Sequence, residues 1–150
     1  MERETGTSKI IFELLYILKR LTDKSATIAL TAMGREDFNI TFMPYFMSIG
    51  EEGISNHDLL KKIKVTRQAV SKTIKELESL GLVYSTKSES DARSIMVYLT
   101  VDGKSLHESI LKMADERTIE YKKLIGVENF NNLINSLIRI AAHHEEKEPH

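Results

Sequence analysis

TRQAVSKTIKELESLGLVYSTKSESDARSIMVYLT, residues 66–100, changes its period halfway along. Up to Leu80 the apolar residues recur every three or four positions, and Val70, Ile74 and Leu77 make one stripe. That is the spacing of a helix with one buried face. Thr66 offers an N-cap oxygen, and Gly81 the residue at which such a helix stops. Beyond Gly81 the chain turns β-branched and aromatic: LVYST, then IMVYL, where Ile95, Val97 and Leu99 alternate with Met96 and Tyr98. The polar linker KSESDARS makes these two runs a β-hairpin with an exposed tip.

Just upstream, SNHDLLKKI opens with Ser55 and Asp58 in a Ser-x-x-Asp arrangement, the cap of a short helix. A short helix, a tight turn, a second helix and a hairpin make a winged helix-turn-helix. Farther out, SKIIFELLYILKRL predicts a long first helix with a wide apolar band, stopping near Gly34. NITFMPYFMSIGEEG predicts a short helix capped by Thr41, with Pro44 in its first turn and Gly50 or Gly53 at its end. Thr100 and Gly103 lead into a long helix bearing Leu106, Ile110, Met113 and Tyr121 on one side. After Gly126 a last helix carries Phe130, Leu133, Leu137 and Ile140, and the tail HHEEKEPH is expected to fray. The expected class is therefore mainly α, an α+β winged helix over residues 41–100 between helical segments 1–40 and 101–150.

Composition narrows the function. With 41% hydrophobic and 29% charged residues in 150, the chain has the balance of a soluble globular domain. No apolar run approaches the roughly 20 residues of a membrane span, and the mixed-charge start MERETGTSKIIFELL is no secretory signal. A cytoplasmic setting without membrane partners is expected. The absence of cysteine removes disulfides, thiolate metal sites and thiol redox sensing. There is no Gly-rich phosphate loop, no Gly-x-Ser-x-Gly and no cluster of carboxylates with histidine, so neither an enzyme nor a cofactor is expected. His57 beside Asp58 and His107 beside Glu108 do not face their neighbours on a helix, and His143 and His144 stand near the terminus. No histidine pair has metal-ligand spacing at i, i+4, and all are expected to be solvated.

The net charge of −1 conceals a bias. Residues 54–100 hold eight cations against five acids, a surplus of +3, and the remainder carries −4. Six of those cations fall in 61–75 with no acid among them. On the helix after Thr66, Arg67, Ser71 and Lys75 share a face, with Gln68 and Lys72 alongside. Lysines on such a helix are commonly just a solvated face, and Lys61 and Lys62 suit a helix C-terminus. The helix-turn-helix order and the following hairpin favour the second reading. A rod of roughly 20 Å presenting Arg, Gln, Ser and Lys fits the major groove of double-stranded DNA.

Residues 54–106 resemble the winged helix of the MarR family of bacterial transcription regulators. The likeness rests on Leu77-Glu78 with Gly81-Leu82-Val83, on Asp91-x-Arg93 in the wing, and on Leu99-Thr100-x-x-Gly103 opening the next helix. One departure is Ser85, where family members often carry arginine; it bears on the wing's bracing and on one phosphate contact. The resemblance implies a homodimer whose terminal helices (1–40 and 101–150) interlock, binding a pseudo-palindromic operator, in the commonest case as a repressor. Arg67, Gln68, Ser71 and Lys72 would choose sequence, while Lys75, Lys87, Ser55 and Thr66 would hold the backbone. Arg93, braced by Asp91, would enter the minor groove. It also implies release by a small, often aromatic ligand, for which Tyr16, Phe42, Phe46 and Met47 are the candidates, with Arg20 or His107 as polar anchor. A winged helix that binds protein, or a regulator without an effector, are the alternatives; the polar reader face argues against the first.

Overall fold

A computed structural model describes residues 2–87, 89, 90 and 93–147, those before Ile10 by their backbone only. The chain falls into two compact units, residues 1–104 and 105–150.

In the first unit, helix α1 (Glu2–Ala32) ends as Gly34 turns left-handed at φ 76°. The N–H of Arg35 then closes on the carbonyl of Leu30 at 2.8 Å, the bond that ends a helix when glycine follows its cap. A single 3-10 turn, Ile40–Phe42, leads into α2 (Met43–Met47), with Pro44 in the first turn as expected. The cap is not Thr41. Asn39, extended at ψ 135°, accepts from the Thr41 N–H at 2.9 Å and from its hydroxyl at 2.8 Å. The polar residue outside the turn caps it, since only there does the side chain reach back to the first N–H groups. Phe38, Phe42 and Phe46 meet edge to face, with centroids 5.4–5.6 Å apart, and Phe46 is fully buried.

The chain then forms β1 (Ile54–Ser55), α3 (Asn56–Ile63), α4 (Arg67–Ser79), β2 (Val83–Lys87) and β3 (Ile95–Leu99). The hairpin pairs Val83 with Leu99 through to Lys87 with Ile95. A short strand that the sequence did not announce, β1, pairs antiparallel with the other edge of β3, giving the order β1-β3-β2. At two residues it is too short to show an alternating pattern. Leu59 and Leu77, with Leu82, Val97 and Leu99 of the sheet region, make the core beneath the two helices.

Gly81, at φ 73°, ends α4: its N–H reaches the carbonyl of Glu78, and that of Leu82 the carbonyl of Leu77. This doubly bonded stop also buries Leu77 and Leu82 together. The Thr100 hydroxyl donates to the Gly81 carbonyl at 2.6 Å and accepts from Gly103 N–H at 3.0 Å, while Thr100 N–H donates to Leu82 O at 3.0 Å. Gly103 lies so close to this turn that a Cβ would stand 1.9 Å from Leu82 O. The spacing Gly81-Leu82 and Thr100-x-x-Gly103 is thus one tertiary lock, joining the end of α4 to the start of the next helix, α5 (Val101–Ile125).

In the second unit, Gly126 (φ 88°) separates α5 from α6 (Val127–Lys147). The expected fraying at His143 is not observed: α6 continues through His143 and His144 to Lys147. The period-3.6 pattern of Leu133, Leu137 and Ile140 carries the helix on.

Candidate nucleic-acid interface

Helix α4 is two-faced. Val70, Ile74 and Leu77 are buried, whereas Arg67, Gln68, Ser71, Lys72 and Lys75 are all exposed. Its start is fixed by Thr66, whose hydroxyl accepts from the Ala69 N–H at 3.1 Å; the Ser55 hydroxyl likewise accepts from Asp58 N–H at 3.0 Å. A hydroxyl locked as acceptor keeps its own proton to donate outward, which suits it to an anionic oxygen. Between the helices Lys64 turns left-handed (φ 56°), and the N–H groups of Lys64 and Val65 both close on Leu60 O. That tight turn sets α4 against α3.

Two hydrogen bonds fasten the helix pair to the hairpin, one from each helix. The Ser85 hydroxyl of β2 donates to the Glu78 carboxylate of α4. Asn56 Oδ1, at the head of α3, accepts from His57 N–H at 2.9 Å and from Ile95 N–H, the first residue of β3, at 3.3 Å. Asn56 was not singled out from sequence, and Glu78 only as part of the Leu77-Glu78 motif, without this partner. Asn56 lies 39 positions from its strand partner, a separation that no local pattern carries. Ser85 did give a signal, as a departure from the family arginine, and in this chain the position spans between helix and strand.

Two grooves flank α4. One of about 290 Å³ has an apolar floor that includes Leu60, Ile74 and Val97, and a polar rim that includes Ser71 and Lys75. The other, about 490 Å³ at the root of the wing, gathers Ser55, His57, Arg67, Arg93 and Ser94. Arg67 lines both, so the structure brings Ser55, Arg67 and Arg93 to one place and Arg67, Ser71 and Lys75 to the next. Lys87 lines a separate depression with Glu89, Met96 and Tyr98. Asp91, the expected brace of Arg93, lies outside the described residues. Of the expected ligand contacts, Tyr16 and Arg20 are exposed on α1, Met47 and His107 half-buried, and Phe42 and Phe46 buried in the aromatic cluster.

Two helices at a tight turn, a polar exposed face on the second, and a hairpin fastened beside it define a winged helix-turn-helix. Residues 50–95, which hold the helix-turn-helix and the start of the wing, match the model of the MarR family. Among similar proteins, the transcriptional regulator AdcR of Streptococcus pneumoniae is 37% identical over 78 residues, 52% of this chain and 53% of its own length. The HTH-type regulator YdgJ of Bacillus subtilis is 33% identical over 87 residues, 58% of this chain and 53% of its own length. The chain thus spans about half the length of the curated relatives it matches. Among solved structures, Streptococcus pneumoniae FabT in complex with DNA superposes with a TM-score of 0.82 at 19% identity, covering 93% of this chain and 99% of that one. A MarR transcriptional regulator from Methanosarcina mazei gives 0.78 at 21%, covering 93% and 99%. These relatives and neighbours are regulators, not enzymes, and no described helix is long and apolar enough to cross a membrane.

Proposed function

We propose that the protein is a dimeric, sequence-specific DNA-binding transcription regulator of the cytoplasm. It acts as a repressor by occupying a pseudo-palindromic operator. The observation that carries this reading is the exposed polar face of α4, flanked by two grooves that share Arg67. Arg67, Gln68, Ser71 and Lys72 select bases in the major groove, through the donor and acceptor pairings open to Arg, Gln, Ser and Lys. Lys75, Lys87, Ser55 and Thr66 hold phosphates and make affinity salt-dependent. Arg93, two positions after Asp91 in the sequence, enters the minor groove, where a narrow A·T-rich segment concentrates negative potential. That the fold neighbour FabT was solved in complex with DNA supports DNA as the partner.

Dimerisation draws its support from apolar surface that a single chain leaves open. On α1 Phe12, Leu14, Leu15 and Leu18 are half-exposed or more, and α6 has no buried residue among those described, although Leu133, Leu137 and Ile138 lie along it. Such continuous apolar faces mark an interface. Release of DNA by a small, aromatic ligand completes the proposal. Its candidate contacts are Tyr16, Phe42, Phe46 and Met47, with Arg20 or His107 as polar anchor. The test is fluorescence anisotropy on duplexes that the protein selects from a random pool. Arg67→Ala should lower the preference for the selected duplex over a scrambled one by about 1–3 kcal/mol. Lys75→Ala should weaken both duplexes alike. Sequence-blind binding unaffected by Arg67→Ala would refute the reader assignment.

A further inference from the structure

Three elements converge on the groove of about 490 Å³ at the root of the wing: the start of α3, the start of α4 and the residues leading into β3. Its charged walls are both cationic, Arg67 and Arg93, and no carboxylate lines it among the described residues. His57 stands exposed on the same wall, with Ser55 and Ser94. The backbone N–H groups at the head of α3 are already engaged, that of His57 by Asn56 Oδ1 and that of Asp58 by Ser55 Oγ. Recognition therefore falls to side chains. The Ser55 and Ser94 hydroxyls and the imidazole are donors, and the two guanidinium groups supply the field.

The geometry points to a seat for one phosphate group of the DNA backbone, with His57 as a phosphate-contacting residue. This rests on the DNA-binding reading above. Because Arg67 also lines the neighbouring groove with Ser71 and Lys75, a duplex lying along α4 carries a backbone strand over the seat. The imidazole offers an N–H to a phosphate oxygen. The charged groups facing His57 are Arg67 from α4 and Arg93 from the wing, and Asp58 follows it on its own helix.

The test compares the protein with His57→Ala and His57→Gln by anisotropy on its selected duplex and a scrambled one. His57→Ala should weaken both duplexes alike, by about tenfold. His57→Gln, which keeps an N–H donor, should recover part of that loss. Parent-like affinity in His57→Ala, with selectivity still lost in Arg67→Ala, would overturn the seat and leave the reader standing. Absence of any preference in the parent would instead sink the DNA-binding reading itself. A second arm follows the His57 ring by NMR while inorganic phosphate replaces chloride at constant ionic strength. A shift there, with DNA affinity unchanged in His57→Ala, would assign the groove to a free phosphate species and overturn its DNA role.

Discussion

Gly81 and Gly103 lie 22 positions apart in the chain and serve one turn for different reasons. Gly81 needs its left-handed φ of 73°, but an added Cβ there would meet open space. Gly81→Ala therefore costs conformational strain alone, and urea denaturation should show a loss of about 1 kcal/mol. At Gly103 the objection is contact, since a Cβ would stand 1.9 Å from Leu82 O. Gly103→Ala should cost more, about 2–3 kcal/mol, because backbone on both sides must shift. Equal losses would contradict the account of the lock. Single residues were also the most legible feature of the sequence. Ser55, Thr66 and Gly81 cap and stop the helices as their types and spacing indicated. Thr41 did not, because Asn39 two residues earlier had the extended backbone that an N-cap requires.

At the scale of the elements, α3, α4 and the wing are tied into one frame. Ser85–Glu78 ties α4 to β2, Asn56 ties α3 to β3, and β1 closes the far edge of the sheet. The helix pattern and the alternating hairpin were visible because each repeats several times within one element. The ties were not visible, being single contacts between residues whose proximity only the fold creates. A double-mutant cycle of Ser85→Ala and Glu78→Gln should return a coupling of about 1 kcal/mol in urea denaturation. Strict additivity would mean that the two side chains do not hold each other. Thr66→Ala, which removes the cap of α4, should cost about 1 kcal/mol and weaken specific and non-specific DNA binding together. A change in selectivity would contradict its role as a backbone-positioning residue.

At the scale of the whole molecule, the sequence showed two apolar helical ends and a basic centre, and both features reappear as surfaces. The charge bias lies along α4 and at the wing root; the apolar bands remain open on α1 and α6. What a sequence cannot supply is the partner for those bands, since a stripe that packs inside one chain and a stripe that packs against a second copy have the same period. Sedimentation equilibrium should report a dimer. Leu137→Glu on α6 should shift it toward monomer and lower affinity for the selected duplex at least about a hundredfold, because the second half-site is then no longer engaged intramolecularly. A monomeric parent that still binds tightly would remove the dimer from the account.

The central claim is that α4 reads DNA as one of a symmetric pair. The most direct measurement is sequencing of the duplexes that the purified protein enriches from a random pool, run beside Arg67→Ala. The account predicts an inverted repeat with half-site centres roughly one helical turn, about 10 base pairs, apart. Positions facing Arg67 should lose their information content in the variant. A pool that stays random, or an enriched sequence that Arg67→Ala selects just as well, would contradict it.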